Sequence, residues 1–196
     1  MKEQEKRAAW HFDDTVIAVD ADDNEIGVLS RAAAHTVTDG EPGQLHRAFS
    51  VFLVTDARSA RGAGHMVLCR RSGLKPLWPG FWTDSCSGHP RPGEGTVDAA
   101  RRRVAEELRV EVDLIDIGHF IYRECFGEQG AENELCHVLV GHTGDFTPDP
   151  AEVSETLYVS PVWLAATADD PPSDFAPWLT AAIRSFDPKG MCDALA

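Results

Sequence analysis

The sequence predicts a single mixed α/β (α+β) domain, with one β-sheet lying between helices. Two observations carry that expectation. Apolar, β-branched runs of strand length recur along the chain, whereas only one segment shows a long, clear helical period. Strands interleaved with so few helices point to a sandwich of sheet and helices rather than a doubly wound parallel sheet. A length of 196 residues is enough for one domain with its own core.

Taken in order, DDTVIAVDADDNEIGVLS reads as a strand, an Asp/Asn-rich turn and a second short strand. RAAAHT is a short helix or loop, which TDGEPGQ breaks. HRAFSVFLV and GHMVLCRRS are core strands joined by TDARSARGAG, and GFWTDSC is another strand. The clearest helix spans 96–108: Thr96 caps it and Val97, Ala100, Val104 and Leu108 share a face, with Asp98, Arg101, Arg102 and Glu106 elsewhere. VDLIDIGHFIYREC and ELCHVLVGH follow as strands. Ser160-Pro161 opens a short helix through VWLAAT, with proline at its favoured first position. An amphipathic helix near 174–186 closes the domain, which is expected to span 12–187, with 1–11 and 188–196 as flexible ends.

Composition narrows the function. A formal charge of −14 argues against a nucleic-acid partner, which needs a positive footprint. The longest apolar runs fall short of the roughly 18 residues that a membrane span requires. The opening MKEQEKRAAWHFDD has no apolar core of a secretory signal, and five cysteines without a CxxC pair suit a reducing compartment. A cytoplasmic protein is expected.

The most informative stretch is WTDSCSGHPRPGE (82–94), where a strand ends in His89-Pro90 just before the arginine-rich helix. His35 and His46 lie upstream, and Glu132-Asn133-Glu134 downstream. Three imidazoles and two carboxylates would suit a divalent ion that accepts mixed nitrogen and oxygen ligands, such as Mn²⁺ or Mg²⁺. Taken singly, a histidine is more often structural or surface-exposed, and His11, His65, His119, His137 and His142 keep that reading. Alternation places Glu132 and Glu134 on one strand face and His137 on the other.

Seven pieces in order resemble type I isopentenyl-diphosphate Δ-isomerase, a branch of the Nudix fold. They are AAAHT (32–36), LHRAFS (45–50), RRSGLKPLWPGFWTDSCSGHP (70–90), ARRRVAEEL (100–108), YRE (122–124), ENELC (132–136) and FAPWL (175–179). The resemblance implies a Nudix-type sheet between helices and a small isoprenoid diphosphate as substrate. It implies His35, His46, His89, Glu132 and Glu134 as ligands of Mn²⁺ (or Zn²⁺), and Glu107 as holder of a second ion, Mg²⁺, that enters with the diphosphate. It implies proton transfer by Glu134 assisted by Tyr122, and diphosphate binding by Arg31, Arg71, Lys75 and Arg103. Trp178 would lie over the alkyl group, where an indole face stabilises a developing cation. The hydrolase signature is degenerate between Gly93 and Leu108, which disfavours nucleotide-diphosphate hydrolysis.

One position departs from the pattern. Where the family carries a proton-transferring cysteine this chain has Ser87, and Asp84 replaces a usual asparagine. A serine hydroxyl is a far weaker acid than a thiol. Three readings stay open: an isomerase in which Ser87 relays a proton, an enzyme that protonates and cyclises a longer prenyl diphosphate, or a binder without turnover. Substitution by Cys86 is disfavoured because strand alternation aims neighbours to opposite sides.

Overall fold

The structure, a computed structural model, describes residues 15–196. The expected loose segment 1–11 lies outside the described residues. Strands β1 (Thr15–Val19) and β2 (Glu25–Ser30) form an antiparallel hairpin. Its turn is tied by the Asp20 carboxylate, which accepts from the backbone of Asp22 and Asn24 at 3.0 and 2.9 Å. The short helix α1 (Arg31–Ala34) begins where Ser30 Oγ accepts from Ala33 N.

Strand β3 (His46–Thr55) is the hub of the sheet. On one edge it pairs along its whole length, in parallel, with β8 (Ala131–Thr143). On the other it meets three partners in turn: β1 at His46, β6 (Cys86–Gly88) at Phe49–Val51, and β4 (Met66–Arg71) at Val54. Strand β7 (Ile115–Cys125) pairs antiparallel with β8. Strands β5 (Trp82–Thr83) and β9 (Val153–Val159) both pair with β4.

Alternation along β3 sorts the core into two layers. Phe49, Val51 and Leu53 pack with Ala100, Val104 and Leu108 of α2 (Thr96–Leu108). Ala48, Phe52 and Val54 point the other way, toward Leu164 of α3 (Pro161–Ala166), Leu179 and Ile183 of α4 (Pro177–Ser185) and Met191 of α5 (Pro188–Asp193). The expected sheet between helices is what the chain builds.

Four local expectations need correction. Gly95, not Thr96, is the N-cap of α2, and Thr96 is the first helical residue. GFWTDSC is not one strand: it breaks at Asp84-Ser85. There Ser85 Oγ accepts from Leu53 N at 2.8 Å and donates to Val67 O at 2.7 Å, bridging β3 and β4 where they splay apart. The segment 153–159, unassigned from sequence, is strand β9. Finally, 188–193 is no loose tail, because Asp187 caps α5 and Met191 is buried to 1% exposure. Met191→Ala is therefore expected to cost about 2–4 kcal/mol. It should appear as a lower urea midpoint with an unchanged slope.

Candidate active site

The sheet register assembles the centre of the site. Tyr122 of β7 is paired with Glu134 of β8, and Glu134 with His46 of β3, so the three form a row across neighbouring strands. Tyr122 Oη donates to Glu134 Oε2 at 2.6 Å. Glu132 lies two residues along β8 on the same face. His35 caps the end of α1, and its backbone carbonyl accepts from Ala131 N at 2.9 Å. Gly130 allows that approach, since a Cβ there would lie 3.0 Å from His35 O and 2.7 Å from Leu77 Cδ2. His89 follows directly on β6.

The five side chains expected to bind a metal do converge. One ligand atom from each of His35, His46, His89, Glu132 and Glu134 lies within 4.8 Å of all the others. His35 Nε2 is 2.9 Å from Glu132 Oε2, and His89 Nε2 is 2.8 Å from Glu134 Oε1. Outward, His35 Nδ1 faces Arg31 O at 2.7 Å and His46 Nδ1 faces Gln44 O at 3.0 Å. A carbonyl only accepts, so both Nδ1 atoms carry a hydrogen and both Nε2 atoms face the cluster.

Electrostatics point the same way. Burial, then His35, pushes His46 down to about 4, so its ring is neutral at neutral pH. Burial, reinforced by the negative Glu132, holds the Glu134 carboxyl well above the usual carboxylate range. Burial would raise Glu132 as well, but His35 carries it below that range. Burial likewise holds His89 well below the usual imidazole range, and imidazoles beside clustered carboxylates form a donor set that fits a divalent cation.

A cleft of about 330 Å³ opens beside this centre. Arg31, Arg71, Lys75 and Arg103, the four expected diphosphate-binding cations, all line it, together with Leu77, Tyr122 and Trp178. Of the wider basic cluster, Arg70 and Arg101 turn away to Glu155 and Asp113. Trp178 is buried: its Nε1–H donates to Thr83 Oγ1 and its ring lies 5.1 Å from the Arg71 guanidinium carbon. Glu107 also lines the cleft but stands apart from the five-residue group, its carboxylate held by Arg103 and by Lys75. Glu152, which the sequence did not single out, binds Lys75 and completes this cage of alternating charge.

Residues 44–179 match the NUDIX domain model. The isopentenyl-diphosphate Delta-isomerase of Paenarthrobacter aurescens (strain TC1) is 40% identical over 167 residues, covering 84% of this chain and 85% of that protein. The chain belongs to the isopentenyl-diphosphate Δ-isomerase family. The like-named protein of Nocardia farcinica (strain IFM 10152) is 39% identical over 172 residues, 86% of this chain and 92% of that one. Among solved structures, a Deinococcus radiodurans protein superposes with a TM-score of 0.64 at 20% identity, covering 87% of this chain and 98% of that one. The MutT protein of Methanosarcina mazei Go1 superposes with a TM-score of 0.55 at 20% identity, over 78% and 98% of the two chains. These two likenesses establish the fold.

For a chain of the isomerase family, the surroundings of Ser87 are the main peculiarity. Ser87 is paired with Ser50 across β6 and β3, whereas Cys86 is paired with Val51 and buried among the residues under α2. The alternation argument against Cys86 therefore holds in this chain. Ser87 Oγ donates to Asp84 Oδ1 at 2.5 Å, and Thr83 Oγ1 donates to the same oxygen at 2.8 Å. Asp84 has no exposed surface. Sequence inspection marks Asp84 only as a departure, because an aspartate between a threonine and a serine reads as a turn residue.

Burial pushes the Asp84 carboxyl up to about 6, against the opposing effect of the Ser50, Ser87 and Thr83 hydroxyls. The folded state thus holds this proton more tightly than the unfolded state. The resulting stability is present below the unfolded value near 3.8 and lost as pH rises through about 6. Relative to Asp84→Asn, the wild type should lose about 3 kcal/mol of stability between roughly pH 4 and pH 7. Paired denaturant titrations across that range measure it, and parallel curves would show that Asp84 titrates normally.

Proposed function

We propose that this protein isomerises isopentenyl diphosphate to dimethylallyl diphosphate in a metal-dependent reaction. The observation that carries the reading is the Tyr122–Glu134–histidine row, which lines a cleft together with Arg31, Arg71, Lys75, Arg103 and Trp178. An unactivated alkene is a poor base, so its protonation needs a strong acid away from water. Glu134, whose hold on a proton is raised by burial and by Glu132, is that acid, and Tyr122 fixes the direction of its carboxyl.

Arg31, Arg71, Lys75 and Arg103 take the diphosphate. Arginine suits this role through bidentate, charge-assisted bonds to phosphate oxygens. Their local field offsets the chain's overall charge of −14. With the diphosphate fixed, the alkyl group points toward Trp178, whose ring already faces one cation, Arg71. His35, His46, His89, Glu132 and Glu134 would hold Mn²⁺, Mg²⁺ or Zn²⁺, and Glu107 would hold Mg²⁺ brought with the substrate. Such ions supply charge stabilisation and fix the orientation of their ligands.

Incubation with isopentenyl diphosphate and Mg²⁺ in D₂O, followed by NMR, tests the reading. Dimethylallyl diphosphate carrying deuterium in its methyl group is expected. Unchanged, unlabelled substrate would refute it.

A further inference from the structure

Moving a double bond requires, besides a group that protonates one end of the alkene, a group that takes a proton from the neighbouring carbon. Ser87 lines the cleft, and its pairing with Ser50 turns its hydroxyl to the face that carries His46. A serine hydroxyl alone is a poor proton acceptor. This hydroxyl is not alone, because its hydrogen already lies in a 2.5 Å bond to Asp84 Oδ1. Asp84 in turn is fully buried and is reached from the cleft only by way of its neighbours, since it lines neither cavity itself. Its orientation is fixed from behind: Trp178 Nε1–H donates to Thr83 Oγ1, which donates to Asp84. The wall that would touch the alkyl group and the carboxyl behind the serine are thus parts of one hydrogen-bonded chain.

We propose that Asp84 is the group that stores the proton on the Ser87 side of the cleft, and that it exchanges that proton with substrate through the Ser87 hydroxyl. The inference rests on the isomerase reading and deepens it. In the forward direction the substrate C–H bond breaks, and its electron pair becomes the new C=C bond of the allylic product. The proton passes to Ser87 Oγ while the Ser87 hydroxyl hydrogen passes to Asp84 Oδ1. The carboxylate becomes a carboxylic acid and the serine ends as it began. The proton added to the other end of the alkene leaves the Glu134 carboxyl; after product release Asp84 gives its proton to solvent and Glu134 takes one back, so charge and atoms balance over the turnover. Ser87 is then the group that touches substrate, and Asp84 acts through it.

The test is a double-mutant cycle on the full chain, read as kcat and KM in D₂O by NMR, with melting midpoints as the check on folding. In Asp84→Asn the amide oxygen can still accept from Ser87 and Thr83, so the break between β5 and β6 keeps its ties. Asp84→Asn is expected to lower kcat roughly 100-fold, the scale of a lost proton-transfer group, with KM within about twofold. Adding Ser87→Cys to it should recover about tenfold or more, because a thiol takes and releases a proton without the carboxyl. Should Asp84→Asn melt early, Ser87→Ala serves in its place: the expected loss is again roughly 100-fold, and restoring a bare thiol by Ser87→Cys should abolish it.

Wild-type kcat in Asp84→Asn would overturn the relay. So would an equal loss from Asp84→Asn in the Ser87 and Ser87→Cys backgrounds, which is what a purely structural role gives. A wild-type protein that neither isomerises nor exchanges deuterium would overturn the isomerase reading itself, which separates the two failures.

Discussion

Glu134→Gln is expected to lower isomerisation of isopentenyl diphosphate by roughly 10³-fold or more, near the upper range for loss of a general acid. The substitution is nearly isosteric, so the Tyr122 hydroxyl keeps an acceptor at the position where it now bonds at 2.6 Å. What disappears is the transferable proton and half of the buried carboxylate pair. In the metal-free protein, removing a charge that burial and Glu132 already disfavour should leave the melting temperature unchanged or higher. A large fall in kcat without loss of stability therefore separates chemistry from folding. A variant that retained wild-type turnover would remove Glu134 from the proton-transfer role. Deuterium incorporation at the methyl carbon, followed over time, reads the effect directly.

The second large effect concerns the metal. Five convergent donors, three of them imidazoles, should bind roughly one divalent ion per chain. His89→Ala removes the ligand that lies 2.8 Å from Glu134. Elemental analysis after gel filtration should show the ion retained by the wild type and depleted in the variant. Turnover should fall at least 100-fold, and excess ion should restore only part of it. An ion at 100 times its dissociation constant stabilises the folded state by about 2.7 kcal/mol. Chelation should accordingly lower the melting point of the wild type and leave His89→Ala nearly unmoved. Identical metal content in the two proteins would place the ion elsewhere.

Much of this arrangement is legible in the residues, for reasons that differ from element to element. Helix α2 shows itself because its apolar positions repeat at helical spacing, and α3 because Ser160-Pro161 is a strong start signal: Ser160 Oγ accepts from Trp163 N. Strand β9 stays hidden because Ser154, Glu155 and Thr156 give it neither an apolar run nor clean alternation. Helix α5 is short and buries little besides Met191 and Pro188, so nothing in PKGMCD distinguishes it from a tail. The break in GFWTDSC depends on Ser85 bonding to two different strands, a tertiary effect with no local signature.

The site divides in the same way. No spacing rule links residues 35, 46, 89, 132 and 134, so their residue types suggest a metal-binding group and the resemblance marks these five as its members. Convergence depends on β3 and β8 lying side by side, and parallel pairing across so long a stretch of chain is invisible to local pattern. Glu107 sits in the cleft between two cations, Arg103 and Lys75, and the fold alone decides that Lys75 from a distant loop meets it there. The depth of Asp84 was equally unreadable, because burial of a lone carboxyl is decided by what closes over it.

The parallel pairing of β3 with β8 also says where this protein is free to change. Tyr122, Glu134 and His46 hang from adjacent rungs of one ladder, and an extra residue in any of the three strands would flip the downstream side chains to the opposite face. The three side chains are therefore locked together, tolerant of swaps in kind but not of shifts in frame. The segments between β4 and β5 and between β8 and β9 carry Leu77 and Glu152 to the cleft without belonging to any rung. Tailoring the cavity to a bulkier hydrocarbon would begin in those connections.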